Sequence, residues 1–316
     1  MKYFFNLSIL FVSISLLSYD RITGFDFASR SEIISTNGMA ATSHPLATQT
    51  AIEVLQRGGN AIDAAIAANA VLGLMEPTGC GIGGDLFAIV WSADDKKLYG
   101  LNSSGPAPKN ISIDKLLAKN LQQIPPYGPL PVTVPGAVSG WAELHNKFGS
   151  LPFENLFLEA IDYSENGFPV TEVVAYYLEL SAERFNTYPN FKEVWMPTGK
   201  TPSKGDIFKN PQLASAYKKI AKTVGKDFYE GDIAKEIVRF INEQGGYFSL
   251  DDLKDYKPEW IEPVSTNYRG YEVWELPPNG QGIAALQILN ILENYDIESL
   301  GFGSAEYIHL FTEAKK

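Results

Sequence analysis

EPTGCGIGGDLFAIVW, residues 76–91, holds Gly79, Gly81 and Gly84 at the G-x-G-x-x-G spacing that in dinucleotide-binding proteins brings a backbone turn against a pyrophosphate. That meaning needs a strand before the glycines and a helix after them, so that the phosphates meet a helix N-terminus. Here the order is inverted. AIDAAIAANAVLGLMEP, residues 61–77, reads as a helix stopped by Pro77, and Leu86 to Trp91 is an apolar, β-rich run that reads as a strand. A helix C-terminus, carrying partial negative charge, then stands beside the loop and disfavours phosphate. Asp85 after Gly84 also removes the Gly-Lys-Ser/Thr ending of a phosphate loop. The glycines are read as a tight helix-to-strand reversal in the core.

Upstream of this stretch, GMAAT (38–42) reads as a short strand. SHPLATQTAIEVLQRGG (43–59) reads as a helix with Ser43 as its cap, Pro45 in the first turn and a glycine exit. Asn60 caps the next helix, whose alanines on nearly every side predict burial. Downstream, Leu86–Trp91, a polar turn at 93–96 and Lys97–Asn102 form a hairpin. From Ser112 the middle section is mainly helical, with segments ending at Gly167, covering 206–224 and covering 231–243, and with Ser249 and Asp252 near the capping-box spacing. A second hairpin joins PVSTNY to YEVWELP through Arg269-Gly270, and helices follow over 279–297 and from Ser304. The class is α+β. PLPVTVPG (129–136) is a stiff loop lying over the first unit, not a linker between domains.

With 45% hydrophobic residues the chain can bury a large core. A net charge of -11 and no basic cluster exclude a nucleic-acid partner. Cys80 is the sole cysteine, and His44, His145 and His309 are far apart, so neither a disulfide nor a zinc site is expected. Lys2 followed by the apolar run Tyr3–Leu17 has the form of a signal peptide. Residues 1–24 are therefore set aside from the fold, with no stable membrane span and a periplasmic or secreted location expected. A lipid-tethered or merely apolar N-terminal arm is the alternative.

Three stretches carry candidate chemistry. ATSHP (41–45) sets Thr42 and Ser43 beside His44, a nucleophile-and-base combination, although adjacent side chains seldom face each other and Ser43 has the simpler task of capping. LNSSGPAP (101–108) clusters Asn102, Ser103 and Ser104 at a strand end, either a substrate-binding group or a turn whose side chains bond their own backbone. PPNGQG (277–282) precedes a helix and is either a nest for an anion or amide, or a loop leading into that helix. His145 and His309 fall within helical patterns and are read as structural or surface residues.

In order, GMAATSHPLATQTAIEVLQRGGNAIDAAIAA, EPTGCGIGGDLFAIVW, LNSSGPAP, VPGAVSGW, FPVTE, YEVWELPPNGQGIAALQILNIL and YDIESLGFGSAEYIHLFTEA resemble the gamma-glutamyltransferase (gamma-glutamyltranspeptidase, glutathione hydrolase) family across residues 38–316. The resemblance implies an N-terminal-nucleophile hydrolase: an αββα sandwich made as a proenzyme that cleaves itself into a large and a small subunit. The threonine that heads the small subunit would attack a γ-glutamyl or related small acyl amide, with its own amino group as base, and backbone N–H groups would stabilise the tetrahedral states. No metal or organic cofactor is implied.

The sequence departs from that pattern in two ways. It corresponds to the large-subunit part only (25–316), so the catalytic threonine lies outside it and the small-subunit half of the same proenzyme is the expected partner. The family's Arg-Glu-Thr/Met-Ala-Pro motif, aligned on Ala107-Pro108, places Ser104 where an arginine would grip a substrate α-carboxylate and Gly105 where the glutamate would stand. This NSSG form resembles the acylase-like branch, with Arg57, Arg184 or the other half left to compensate. A non-catalytic periplasmic small-molecule-binding protein or pseudoenzyme on the same shell is the alternative function.

Overall fold

The computed structural model describes residues 32–316, and the leader assigned to residues 1–24 lies outside the described residues. Residues 32–39 carry no helix or strand, and the compact unit runs from Ala40 to Lys316. Its principal elements, in chain order, are α1 (Pro45–Gln56), α2 (Ala61–Met75), β1 (Leu86–Ser92), β2 (Lys97–Ser103), α3 (Ala137–Phe148), α4 (Leu158–Asn166), α5 (Glu172–Phe185), α6 (Pro211–Thr223), α7 (Asp232–Glu243), β3 (Glu259–Ile261), β4 (Val264–Tyr268), β5 (Tyr271–Glu275), α8 (Gly282–Leu292) and α9 (Ala305–Lys315). β1, β2 and β3 form an antiparallel sheet in that order, β4 and β5 a separate hairpin, and Phe168–Pro169 pairs with Ile207–Phe208. Both expected hairpins and the helical middle are present. β3 was not foreseen.

α2 is the centre of the core. Asn60 accepts from the backbone N–H groups of Ile62 and Asp63, and Asp63 accepts in return from Asn60, so the helix starts with a full capping box. Its small side chains let larger ones come close enough to bond the helix itself. The Tyr217 hydroxyl of α6 donates to the Ala70 carbonyl at 2.7 Å, and the Trp141 indole of α3 donates to Asn69 at 2.8 Å. Both rings are fully buried, and burial pushes the Tyr217 hydroxyl far above its ordinary pKa, fixing it as a donor.

β1 is apolar on both faces. Leu86, Ala88 and Val90 pack on the core, while Phe87, Ile89 and Trp91 on the other face are 45%, 42% and 60% exposed. Such a strand suits a position between two layers.

Two local expectations fail at the start of the unit. Residues 38–42 form no strand, and Ser43 does not cap α1. His44 is the cap: its Nδ1 accepts from the Leu46 N–H at 3.3 Å, with Pro45 as the first helical residue. Ser43 is drawn away by a carboxylate, donating to Glu76 at 2.5 Å, a charge-assisted bond stronger than a neutral cap.

His44 is 2% exposed and edge-on to Phe168 at 5.9 Å, and with Nδ1 accepting, its proton sits on Nε2, which has no partner. Burial holds its pKa below the ordinary value, against an opposing pull from Glu76. As pH falls through about 6.5 the unfolded chain takes the proton first, so stability drops. His44→Asn, which keeps a cap without a titrating ring, is expected to flatten this fall. Denaturation midpoints of wild type and variant between pH 7.5 and 5.5 check it, and parallel curves count against it.

Candidate functional site

The glycine stretch makes the foreseen helix-to-strand reversal through two turns. Gly79 and Cys80 N–H bond the Glu76 carbonyl at 3.0 and 2.9 Å, and Gly84 N–H bonds that of Gly81 at 3.1 Å. It does not lie in the core. Gly79, Gly83 and Gly84 are exposed, and the loop lines a cleft of about 440 Å³ with Asn69 and Trp195. The helix N-terminus that meets the loop, that of α3, is already occupied: the Gly84 carbonyl accepts from both Gly136 and Ala137 N–H at 2.9 Å. These donors cannot serve a phosphate, which agrees with the order of elements. Burial and the Glu76 carboxylate push the Cys80 thiol up, away from thiolate chemistry. A larger hollow of about 710 Å³, lined by Tyr127, Phe185, Phe191 and Phe240, shares only Trp195 with this cleft.

The β1–β2 register sets Leu86 opposite Ser103, so the loop leaves the cleft beside the Asn102–Ser104 cluster. Strand alternation then separates the three residues. Ser103 is fully buried, its hydroxyl donating to the Gly136 carbonyl at 2.8 Å and lying 3.1 Å from the Tyr256 hydroxyl. Asn102 and Ser104 face outward and meet the second candidate loop: Asn102 Nδ2 donates to Asn279 Oδ1 at 2.9 Å, and Asn279 Nδ2 donates to Ser104 Oγ at 2.7 Å. Asn102 Oδ1 accepts the Ser104 N–H at 3.1 Å and completes the ring. The LNSSG and PPNGQG stretches thus belong to one cluster, although Asn102 and Asn279 are 177 positions apart. That pairing has no local signal.

Around the cluster the charge is negative. Burial raises the Tyr256 hydroxyl, with Asp85 and Glu259 adding to the rise and the Ser103 bond opposing it. Neither arginine named as a substitute for the absent guanidinium is bonded to the cluster: Arg57 pairs with Glu159 at 3.6 Å, and Arg184 lies 4.9 Å over the Tyr127 ring. The ATSHP group does not assemble into a nucleophile and base, since Thr42 bonds the His44 carbonyl and Thr48 while the ring caps α1. His145 sits in α3 with Nε2 at 2.7 Å from the Leu151 carbonyl, and His309 is exposed on α9.

The sequence model of the family described as Gamma-glutamyltranspeptidase matches residues 47–316. The chain belongs to the gamma-glutamyltranspeptidase family. It is 38% identical over 285 residues to the glutathione hydrolase-like YwrD proenzyme of Bacillus subtilis, a match covering 90% of this chain and 54% of that one. Among solved structures, the cephalosporin acylase of Bacillus halodurans superimposes with a TM-score of 0.86 at 41% identity, over 95% of this chain and 56% of the other. The gamma-glutamyltranspeptidase of Helicobacter pylori does so at 0.85 and 32%, over 90% and 83%. The chain spans about half the length of the curated relatives it matches. Its fold is that of the large-subunit part of an N-terminal-nucleophile gamma-glutamyltranspeptidase or acylase.

Proposed function

We propose that this chain is the large-subunit part of a self-processing amide hydrolase or acyltransferase, acting on γ-glutamyl or related small acyl amides, with its threonine nucleophile on a second segment of the same precursor. The observation that carries the reading is the match over residues 47–316 to a family whose curated members here are proenzymes about twice the length covered. The open face of β1 supports it, because Phe87, Ile89 and Trp91 offer the apolar surface that a second sheet of an αββα sandwich would cover. The charged N-terminus followed by Tyr3–Leu17 supports export to the periplasm or medium. Among the described residues no helix is long and apolar enough to cross a membrane.

Expression of the full precursor is expected to yield two chains from one, with the new N-terminus a threonine, and to release nitroaniline from acyl p-nitroanilides. A precursor that stays intact and turns over no acyl anilide would overturn the reading.

In this reading Asn102 and Ser104 hold the acyl head, and Ser103 fixes their backbone from below. Ser104→Arg restores the guanidinium fork that the family pattern has at this position. It is expected to raise kcat/KM for γ-glutamyl p-nitroanilide about tenfold, the worth of a charge-assisted bond. An unchanged or lower value would mean that the acyl head does not reach position 104.

A further inference from the structure

Asn279 is bound into the Asn102–Ser104 cluster by two side-chain bonds that cross between loops far apart in sequence. It is exposed, so water could satisfy its amide equally well, and burial gives no reason for the pairing. The count of unused hydrogen-bonding groups supplies one. Asn102 Oδ1 has taken the Ser104 N–H, Asn279 Oδ1 has taken one Asn102 amide hydrogen, and Ser104 Oγ has taken one from Asn279. What remains is the second amide hydrogen of Asn102, the second of Asn279 and the hydroxyl hydrogen of Ser104, together with one lone pair on each of the three oxygens. The three side chains thus present neutral donors and acceptors side by side, the complement of an amide head, which carries both.

The surroundings decide against a charged head. Glu259 stands opposite Asn102 in the β2–β3 register, and the carboxylates of Glu259 and Asp85 both act on Tyr256 beneath the cluster. Lys109, on the chain just beyond the cluster, is engaged by Asp255 at 2.6 Å. A carboxylate here would meet the like charge of Glu259 and Asp85 with Lys109 already paired, whereas a neutral amide would meet donors for its carbonyl and no repulsion. Gly105 reinforces the point: a Cβ there would stand 1.7 Å from the Val134 carbonyl oxygen, so the glutamate of the family pattern has no room on this backbone.

We propose that Asn279 is a specificity-determining residue that, with Asn102 and Ser104, grips an uncharged, carbonyl-bearing head on the acyl group and selects it over a carboxylate head. The inference rests on the amide-hydrolase reading given above. Its test uses the full-length, self-processed protein and two p-nitroanilides of equal length, 4-carbamoylbutanoyl and its carboxylate isostere glutaryl. Wild type is expected to favour the carbamoyl probe at least tenfold in kcat/KM. Asn279→Ala and Asn279→Asp are each expected to raise KM for that probe about tenfold, the worth of one hydrogen bond to substrate, with kcat within twofold. Under Asn279→Ala the KM for the glutaryl probe should change less than twofold, a selectivity that a merely structural role for Asn279 would not produce.

Self-cleavage of each variant reports that it has folded. Wild type favouring glutaryl, or Asn279→Ala weakening both probes alike, overturns the inference and leaves the hydrolase reading standing. Failure of the wild-type precursor to cleave itself or to turn over either probe overturns the hydrolase reading, and the inference with it.

Discussion

Gly136→Ala is expected to lower the stability of the protein by about 3 kcal/mol or more and to displace the Asn102–Ser104 strand end. The backbone at Gly136 has φ -98° and ψ -24°, a conformation alanine adopts freely, so strain in the dihedrals is not the cause. Space is. An added Cβ would stand 1.9 Å from the carbonyl oxygen of Ser103 and 2.8 Å from the Tyr256 hydroxyl. Ser103 cannot retreat, because it is paired with Leu86 across the β1–β2 ladder and its hydroxyl is bonded to Gly136 itself. Nor can Gly136 move without loosening the Gly84 carbonyl that closes the N-terminus of α3.

Gly79→Ala provides the contrast, since its Cβ would meet nothing within 4 Å and a near-neutral effect is expected. Thermal melts of the two variants decide the matter, with a fall of roughly 6–12 °C for Gly136→Ala at roughly 2–4 °C per kcal/mol. Equal melting temperatures would mean that the two loops do not touch as described.

That contrast marks what the residue order could and could not say. The G-x-G-x-x-G pattern was separable from a nucleotide loop because a helix precedes it and a strand follows, and both are read from periodicity and Pro77. Whether its glycines are crowded or open depends on atoms distant in sequence, and the reading of a core reversal gave way to an open cleft. The two most tightly crowded glycines, Gly105 and Gly136, sit in stretches that read as a turn and a stiff loop.

The start of α1 shows a related limit. Ser43 is the better cap by residue type, but Glu76, thirty-three positions on, takes its hydroxyl and leaves the task to His44. β3 escaped notice because three residues are too few to show alternation. In the candidate site, Asn102 and Ser104 were legible as polar residues at a strand end, whereas the burial of Ser103 follows from strand alternation that the cluster alone does not display. The PPNGQG loop that carries Asn279 was legible only as a nest or a helix-entry loop, and the partners of Asn279 are set by where β5 leaves the chain relative to β2. Local chemistry named both halves of the cluster, and only tertiary structure joined them.

The other large effect is expected at Asp63, which is fully buried in the first turn of α2. Its carboxylate accepts from Asn60 N–H at 3.0 Å, Ser150 Oγ at 2.5 Å, and the Ser150 and Leu151 N–H groups at 3.2 Å. Four donors around one anion at a helix N-terminus satisfy its charge and clamp the loop after α3 onto α2. Asp63→Ala leaves those donors without an acceptor away from water and is expected to cost about 3–5 kcal/mol. Asp63→Asn distinguishes charge and acceptor capacity from shape. The amide has nearly the same volume, and turned with its oxygen at the Oδ2 position it keeps the bonds from Asn60, Ser150 Oγ and Leu151. Its NH2 then faces the Ser150 N–H where Oδ1 now accepts, and the charge is gone, so a loss of about 1–3 kcal/mol, smaller than for alanine, is expected. Denaturant midpoints at constant m-value give the comparison. An asparagine variant as stable as wild type would show that the site needs only a filled space.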